Sequence, residues 1–358
     1  MADRNAGPRP AGGQHPGDGD RPLLAVTLGD PAGIGPEITA LTLAEPEALQ
    51  RARGLAVGDA SVLRRAVRVT GLDVEVRPVA SPGEARFSPG TIDVWDLGLI
   101  AQDLDWGTVS ATAGRSAVAA IETATRAAMS GEVTAMVTSP INKEAIWAAG
   151  SKHLGHTEML GELTGSGRFN TMFLVRGLKI FFATRHMSLR EALDSLSADG
   201  IGHSIREAHT ALEVFGTPQP RLAVAALNPH GGENGKFGDE EITAIAPAVR
   251  AAQAAGMDVS GPVPADSVFH QGLQGRYDGV LAMHHDQGHI ASKTYDFDGT
   301  VSVTVGLPIL RTSVDHGTAF DIAGTGKASH ATMRAAFRAA ADLAPYAATL
   351  PQAYPPGR

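Results

Sequence analysis

The sequence predicts an α/β fold built on a largely parallel sheet, because short apolar runs alternate with helix-like stretches along the chain. The predicted strands are residues 23–28, 135–138, 222–227 and 280–283. The predicted helices are residues 34–43, 113–130, 240–255 and a stretch that begins at Asn142. Strands in such an alternation are buried on both faces of the sheet, and ligands bind outside their carboxyl ends.

The loops that follow these strands are polar and rich in Gly and Pro. They read GDP at 29–31, SP at 139–140, NPHGG at 228–232 and HHDQG at 284–288. We therefore expect them to converge on one ligand site. The first strand is not followed by GxGxxG, which disfavours a standard dinucleotide-binding domain.

Composition narrows the classes of function. The chain has 358 residues, 43% of them hydrophobic and 5% aromatic, and this length favours two domains over one core. It has no cysteine, so a bound metal must use His, Asp or Glu. The net charge is −8 and no basic block stands out, so nucleic acid is not an expected partner.

The amino terminus differs from the rest of the chain. Residues 1–21 are rich in Gly, Pro and charge, and they predict a disordered tail. They lack the apolar segment of a secretory signal, and no run elsewhere is long enough to span a membrane. We expect a cytoplasmic protein that does not contact membranes.

Three histidines in polar loops suggest a catalytic metal site: His186, His230 and His285. The alternative for each of them, taken singly, is a capping or core histidine. Imidazoles that converge from separate loops would leave open coordination positions, as catalytic metals require. Asp286 and Asp266 could orient a ligand or transfer a proton, and the alternative is that each caps a helix.

Loop cations suggest an anionic substrate. Lys293, Arg311 and Lys143 lie near Gly- or Pro-containing turns, where they could hold a phosphate or carboxylate or could simply be solvated. His156-Thr157 could bind a ligand or begin a helix. The Gly-rich segment 315–327 could approach a nucleotide through its backbone, although it is not a P-loop.

Seven ordered motifs resemble the 4-hydroxythreonine-4-phosphate dehydrogenase (PdxA) family. They are VTLGDPAGIGPEI at 26–38, TSPINKEA at 138–145, GHTE at 155–158, NPHGGENGKFGDEE at 228–241, GPVPADS at 261–267, AMHHDQGH at 282–289 and GLPILRTSVDHGTAFDIAGTGKA at 306–328.

This resemblance implies a two-lobed α/β/α subunit like that of isocitrate and isopropylmalate dehydrogenases. The lobes would be residues 22–140 plus 312–358 and residues 141–311, with the active site in the cleft between them. It also implies a homodimer in which both subunits contribute residues to each active site. One divalent metal (Zn, Co, Ni, Mg or Mn) would be held by His186, His230 and His285, one of them from the partner.

The resemblance further assigns the remaining roles. The substrate contacts would be His156, Thr157, Lys293, Ser302 and Arg311, where Ser302 replaces the Asn common in the family. The base would be Asp286, Asp266 or Lys293. NAD would lie near His316, Gly317, Thr318, Asp321 and Gly324.

The implied reaction is the NAD-dependent oxidation of 4-phosphohydroxy-L-threonine to a β-keto acid that loses carbon dioxide, a step of pyridoxal phosphate synthesis. A sister group oxidises 4-phospho-D-threonate or 4-phospho-D-erythronate in sugar-acid catabolism. A third branch, which acts on an unphosphorylated cyclic diol, ranks last. More distant alternatives are an acyl-phosphate transferase and a non-catalytic phosphometabolite-binding protein.

Overall fold

The computed structural model describes residues 21–101 and 104–356. The predicted tail therefore lies outside the described residues except at its last position. Arg21 is part of the folded chain, where its carbonyl accepts a hydrogen bond from Arg53 Nε at 3.0 Å.

The described strands form one sheet of twelve. They are β1 (Leu23–Thr27), β2 (Arg53–Gly58), β3 (Glu75–Val79), β4 (Thr91–Asp96), β5 (Ala135–Thr138), β6 (Asn170–Val175), β7 (Leu178–Phe182), β8 (Leu222–Ala225), β9 (Val259–Val263), β10 (Gly279–Ala282), β11 (Val301–Val305) and β12 (Leu310–Ser313). Their order across the sheet is β3-β4-β2-β1-β5-β12-β11-β6-β7-β10-β8-β9.

Helices cover both faces of the sheet. They are α1 (Gly35–Ala44), α2 (Pro46–Arg51), α3 (Ala60–Thr70), α4 (Ala111–Ser130), α5 (Lys143–Ala148), α6 (His156–Thr164), α7 (Leu189–Ser195), α8 (Ala198–Val214), α9 (Ala246–Ala254), α10 (Ala265–Leu273), α11 (His285–Tyr295), α12 (Ala331–Leu343) and α13 (Leu350–Ala353). None of the described helices is long and apolar enough to cross a membrane.

The predicted α/β class and its largely parallel sheet are confirmed. Each predicted strand is present, although β1, β8 and β10 end one or two residues before the predicted position. Pro36 lies in the first turn of α1, where its missing N–H costs nothing. Asn142 caps α5 by accepting a hydrogen bond from the Ala145 N–H at 2.9 Å.

The loops that were expected to converge on one ligand site follow strands that run in opposite directions. β11 is antiparallel to both β12 and β6, and β6 is antiparallel to β7. As a result, β7, β10 and β8 run opposite to β1, β5 and β12. The carboxyl ends of these two groups of strands therefore lie at opposite ends of the sheet. The sheet is continuous across the two expected lobes, whose boundaries stay predictions.

Candidate functional site

Two of the three predicted metal ligands lie together at the carboxyl ends of β7 and β10. The ring centroids of His186 and His285 are 6.1 Å apart. They line an open cavity of about 460 Å³ together with Arg185, His284 and Asp286. Burial and the nearby Arg185 charge lower the pKa of His186. A lowered pKa favours the neutral imidazole, which is the form that binds a metal.

His285 is oriented by neighbours on both sides. Its Nδ1 lies 2.6 Å from Asp286 Oδ1, so its Nε2 is the nitrogen left for a ligand. The His285 ring stacks on His289 at a centroid distance of 3.6 Å. His289 packs in turn against Phe173 at 4.3 Å, which ties the start of α11 to the sheet. Asp286 is not the helix cap, because His284 occupies that position.

His230 lies apart from this pair, on the loop after β8. It is exposed, and its φ of +53° places a non-glycine residue in the left-handed region, a strain found often at functional sites. His186 shares this feature with a φ of +24°. Within residues 21–101 and 104–356, no three His, Asp or Glu side chains are placed to hold one metal ion.

A buried carboxylate shapes the His230 loop. Glu241 is 3% exposed and accepts hydrogen bonds from the backbone N–H groups of Leu227 at 2.8 Å and Asn228 at 2.7 Å. Gln287 joins this loop to α11 by donating to the Ala226 carbonyl at 2.8 Å and accepting from the Met283 N–H at 2.7 Å. The sequence reasoning did not single out Glu241 or Gln287.

Replacing Glu241 with Gln is expected to lower the free energy of unfolding by about 1–3 kcal/mol at pH 7. Burial raises the pKa of Glu241, but the hydrogen bonds from Asn228 and Leu227 outweigh it, so the net pKa is lowered. The stabilisation is therefore present above the unfolded-state pKa and lost as pH falls through the lower folded-state value. Urea unfolding of the wild type and Glu241→Gln at pH 7 and below pH ~4 measures this effect. The difference in unfolding free energy between the two proteins should be smaller at the lower pH.

A second cluster surrounds Arg311, which is 5% exposed. Its guanidinium donates to Thr138 Oγ1 at 3.0 and 2.7 Å and to Thr304 Oγ1 at 2.9 Å. No carboxylate of the described chain lies within 4.0 Å of it, and burial lowers the pKa of Arg311 to about 10. A buried cation with only hydroxyl partners is costly without an anion, so this is a candidate anion site.

His156 completes this candidate anion site. It begins α6, and its buried Nε2 has no hydrogen-bond partner among the described residues. Burial and the Arg311 charge hold the pKa of His156 well below its usual range. The cap residue of α6 is Gly155, so neither His156 nor Thr157 serves as the cap.

Ser302 lies on the same face of the sheet as Arg311. The register pairs Ser302 with Ser313 and Thr304 with Arg311, and alternate residues of a strand share one face. Thr138 Oγ1 lies 2.9 Å from Ser313 Oγ, so buried hydroxyls surround the guanidinium. Ser302 is 9% exposed and belongs to this hydroxyl-lined face.

Lys293 links the metal-site candidates to the segment after β12. One turn beyond His289 on α11, its Nζ lies 2.6 Å from Asp315 Oδ2. The amine also donates to the Asp315 carbonyl at 3.3 Å. This ion pair holds the Lys293 side chain against the segment that follows β12. Asp315 is a further residue that the sequence reasoning missed.

Asp266 lies on α10, which packs near the His230 loop. It is exposed and lies in the first turn of the helix. The cap residue there is Pro264, so the capping alternative for Asp266 is also wrong.

The predicted nucleotide residues divide into two groups. His316 and Gly317 line a cavity of about 420 Å³ with Phe297, and His316 Nε2 lies 2.9 Å from Thr332 Oγ1. This cavity adjoins Lys293, because Lys293 Nζ lies 5.5 Å from the centre of the Phe297 ring. Asp321 is exposed and is not among the residues that line the cavity.

Thr318 and Gly324 dock the segment onto α1 instead of facing the cavity. The Thr318 carbonyl accepts from the Ile34 N–H at 3.0 Å. The buried carboxylate of Glu37 accepts from the N–H groups of Gly324 at 2.7 Å and Gly326 at 3.1 Å. The Gly324 N–H is therefore engaged within the protein, and Glu37 is a positioning residue that the sequence reasoning missed.

Replacing Gly324 with Ala should disorganise this segment. The φ of Gly324 is +78°, and an added Cβ would lie 2.4 Å from the Trp106 ring. We expect a loss of about 2–4 kcal/mol in unfolding free energy, because the strained φ and the clash both oppose an added Cβ. Thermal unfolding would measure the loss. Gly131→Ala, which has a similar φ of +78° and open space around it, is the matched control.

The fold and these clusters define an α/β protein that has a candidate anion site and a histidine pair. The sequence profile of the family "Pyridoxal phosphate biosynthetic protein PdxA" matches residues 50–340. The chain belongs to the PdxA family, and it is a dehydrogenase acting on a CH–OH group.

Three similar proteins place the chain within the family. A Cutibacterium acnes protein with the provisional name D-threonate 4-phosphate dehydrogenase is 57% identical over 94% of this chain and 97% of its own. The structure of a Klebsiella pneumoniae 4-hydroxythreonine-4-phosphate dehydrogenase is 47% identical, with a TM-score of 0.84 over 91% of this chain and 98% of that one. A terephthalate 1,2-cis-dihydrodiol dehydrogenase from Burkholderia xenovorans is 31% identical, with a TM-score of 0.61 over 90% and 98% of the two chains.

Proposed function

We propose that this dehydrogenase oxidises a four-carbon hydroxy acid 4-phosphate with NAD, and that D-threonate 4-phosphate is its substrate. The proposal rests on the buried Arg311, whose guanidinium has only hydroxyl partners among the described residues. Its charge acts on His156, whose buried Nε2 has no hydrogen-bond partner there. A substrate phosphate would supply the missing anion. The 57% identity to a protein named for D-threonate 4-phosphate favours that acid.

The second candidate is 4-phosphohydroxy-L-threonine, the substrate first expected from the sequence. The name of the Klebsiella structure favours it. The two substrates share the phosphate and the oxidised carbon but differ at C2, which carries a hydroxyl in one and an ammonium in the other. For either substrate, oxidation at C3 gives a β-keto acid. Its carboxylate can leave as carbon dioxide because the adjacent ketone accepts the electrons.

The histidine pair fits a divalent metal in part. His186 and His285 supply two imidazoles, and Asp286 fixes the nitrogen that His285 presents. Because His230 lies apart from them, we propose that the partner copy of a homodimer supplies the third imidazole. Exposed apolar side chains beside His186 (Met187, Leu189) and beside His230 (Phe237, Ile242) support such an interface. A bound ion would stabilise negative charge on the substrate oxygen.

We assign the remaining roles in substrate and cofactor binding to residues of this chain. Arg311, His156 and Thr157 would bind the phosphate, with Ser302 beside them. Lys293, held by Asp315, would present its ammonium to the substrate. NAD would occupy the cavity at His316 and Gly317. Asp286 and Asp266 are the remaining candidates for the base.

The substrate experiment follows NADH formation by metal-loaded protein with three compounds: D-threonate 4-phosphate, D-erythronate 4-phosphate and 4-phosphohydroxy-L-threonine. We expect the highest kcat/KM for D-threonate 4-phosphate. A preference for the amino acid would overturn the choice of substrate while leaving the reaction type intact.

The shared-site proposal is tested by mixing two inactive variants, His230→Ala and His186→Ala. If His230 acts across the interface, one site of a mixed dimer has all three histidines, so activity should return to about a quarter of the wild-type level. If the mixture stays inactive although mass measurement shows mixed dimers, His230 does not act in the partner's site.

A further inference from the structure

Arg185 is a second cation that has no counter-ion within 4.0 Å among the described residues, and it lies close to the histidine pair. It lines the same cavity as His186 and His285. Its guanidinium donates to the hydroxyl of Thr171 on β6. Glu207 and Glu158 act on it from a distance, and neither forms an ion pair with it in the described part of the chain. Arg185 is therefore a partly buried cation that faces a ligand-sized space.

The sheet register places Arg185 and Arg311 over one face. Thr171 pairs with Thr304 across β6 and β11, and paired residues have Cβ atoms about 5 Å apart. Arg311 donates to Thr304 from β12, whereas Arg185 reaches Thr171 from the end of β7. The order β12-β11-β6-β7 thus brings one guanidinium to this face from each side.

Two cations flanking one face suit a substrate with an anion at each end. With the phosphate at Arg311, the carboxylate end of a four-carbon acid would lie toward Arg185 and the histidine pair. The carboxylate that lines this cavity, Asp286, is already engaged by His285 at 2.6 Å. An ammonium on C2 would therefore meet the like charge of Arg185, and no carboxylate that lines this cavity is free to pair with it, whereas a hydroxyl would be tolerated.

We propose that Arg185 is a specificity-determining residue that binds the carboxylate end of the substrate and selects a 2-hydroxy acid over a 2-amino acid. The inference rests on the proposed function, because it takes the phosphate to lie at Arg311. It deepens that function by assigning the distinction between the two candidate substrates to one side chain.

The test compares wild type, Arg185→Gln and Arg185→Lys by calorimetric titration with D-threonate 4-phosphate and 4-phosphohydroxy-L-threonine, followed by kcat/KM for both. Arg185→Gln should weaken binding of the hydroxy acid about 100-fold and that of the amino acid less than about tenfold. Arg185→Lys keeps the charge and should keep the order of preference. Arg126→Gln, on the exposed face of α4, controls for loss of a positive charge.

An equal loss of affinity for both ligands in Arg185→Gln would overturn the inference, because Arg185 would then not discriminate at C2. Tight binding of the amino acid by the wild type would also overturn it. Binding is measured without turnover, so a protein that binds the hydroxy acid selectively but forms no NADH would contradict the proposed function and not the role of Arg185.

Discussion

Replacing His285 with Ala should lower kcat by at least about a thousandfold, or about 4 kcal/mol in activation free energy, while the protein stays folded. His285 is the histidine with the most support: Asp286 holds its Nδ1 at 2.6 Å and His289 stacks on it at 3.6 Å. The replacement would remove a proposed metal ligand, and the protein should stay folded because the side chain is half-exposed. The measurements are kcat, metal content by mass spectrometry and the circular dichroism spectrum.

The control is His209→Ala on α8, where His209 Nδ1 lies 3.4 Å from Glu213 and away from the cavity. It should keep normal kcat and metal content. A His285→Ala protein with normal kcat and no bound metal would show that the histidine pair is not part of a catalytic metal site.

Replacing Arg311 with Met should raise KM for the phosphorylated substrate about 100-fold, or about 3 kcal/mol, with a smaller change in kcat. The reason is that the guanidinium would hold the phosphate, which positions the substrate and does not react. The ligand-free variant should be no less stable than the wild type, because a buried cation without an anion is removed. Steady-state kinetics and thermal unfolding measure the two effects.

Inorganic phosphate provides the control. Phosphate should raise the Tm of the wild type and leave that of Arg311→Met unchanged, because a ligand stabilises only the state that binds it. If phosphate stabilised both proteins equally, the anion site would lie elsewhere.

The positions of His186 and His285 could be anticipated from the sequence, because apolar runs end at polar loops. Arg311 was expected in a loop as well, but it lies within β12. The direction of the strands could not be anticipated, because β6, β7 and β11 are short apolar runs whose pairing depends on tertiary contacts.

Residues that act through packing escaped the sequence pattern. Glu37, Glu241 and Asp315 look like ordinary surface acids until the structure shows what each one holds. Arg185 beside His186 carried a weak signal, since it is a cation in a loop that follows an apolar strand. Its partner Thr171 lies 14 positions away in the chain, and only the sheet register reveals its relation to Arg311.

The most direct test of the central claim compares D-threonate 4-phosphate with unphosphorylated D-threonate as substrates of the metal-loaded protein, with NADH formation as the readout. The buried Arg311 site predicts that kcat/KM for the phosphorylated acid is higher by at least about a thousandfold, because without phosphate the buried cation stays unpaired. Equal kcat/KM for the two acids would contradict a phosphate-binding role for Arg311. NADH formation from D-threonate alone would place the substrate outside the phosphorylated hydroxy acids.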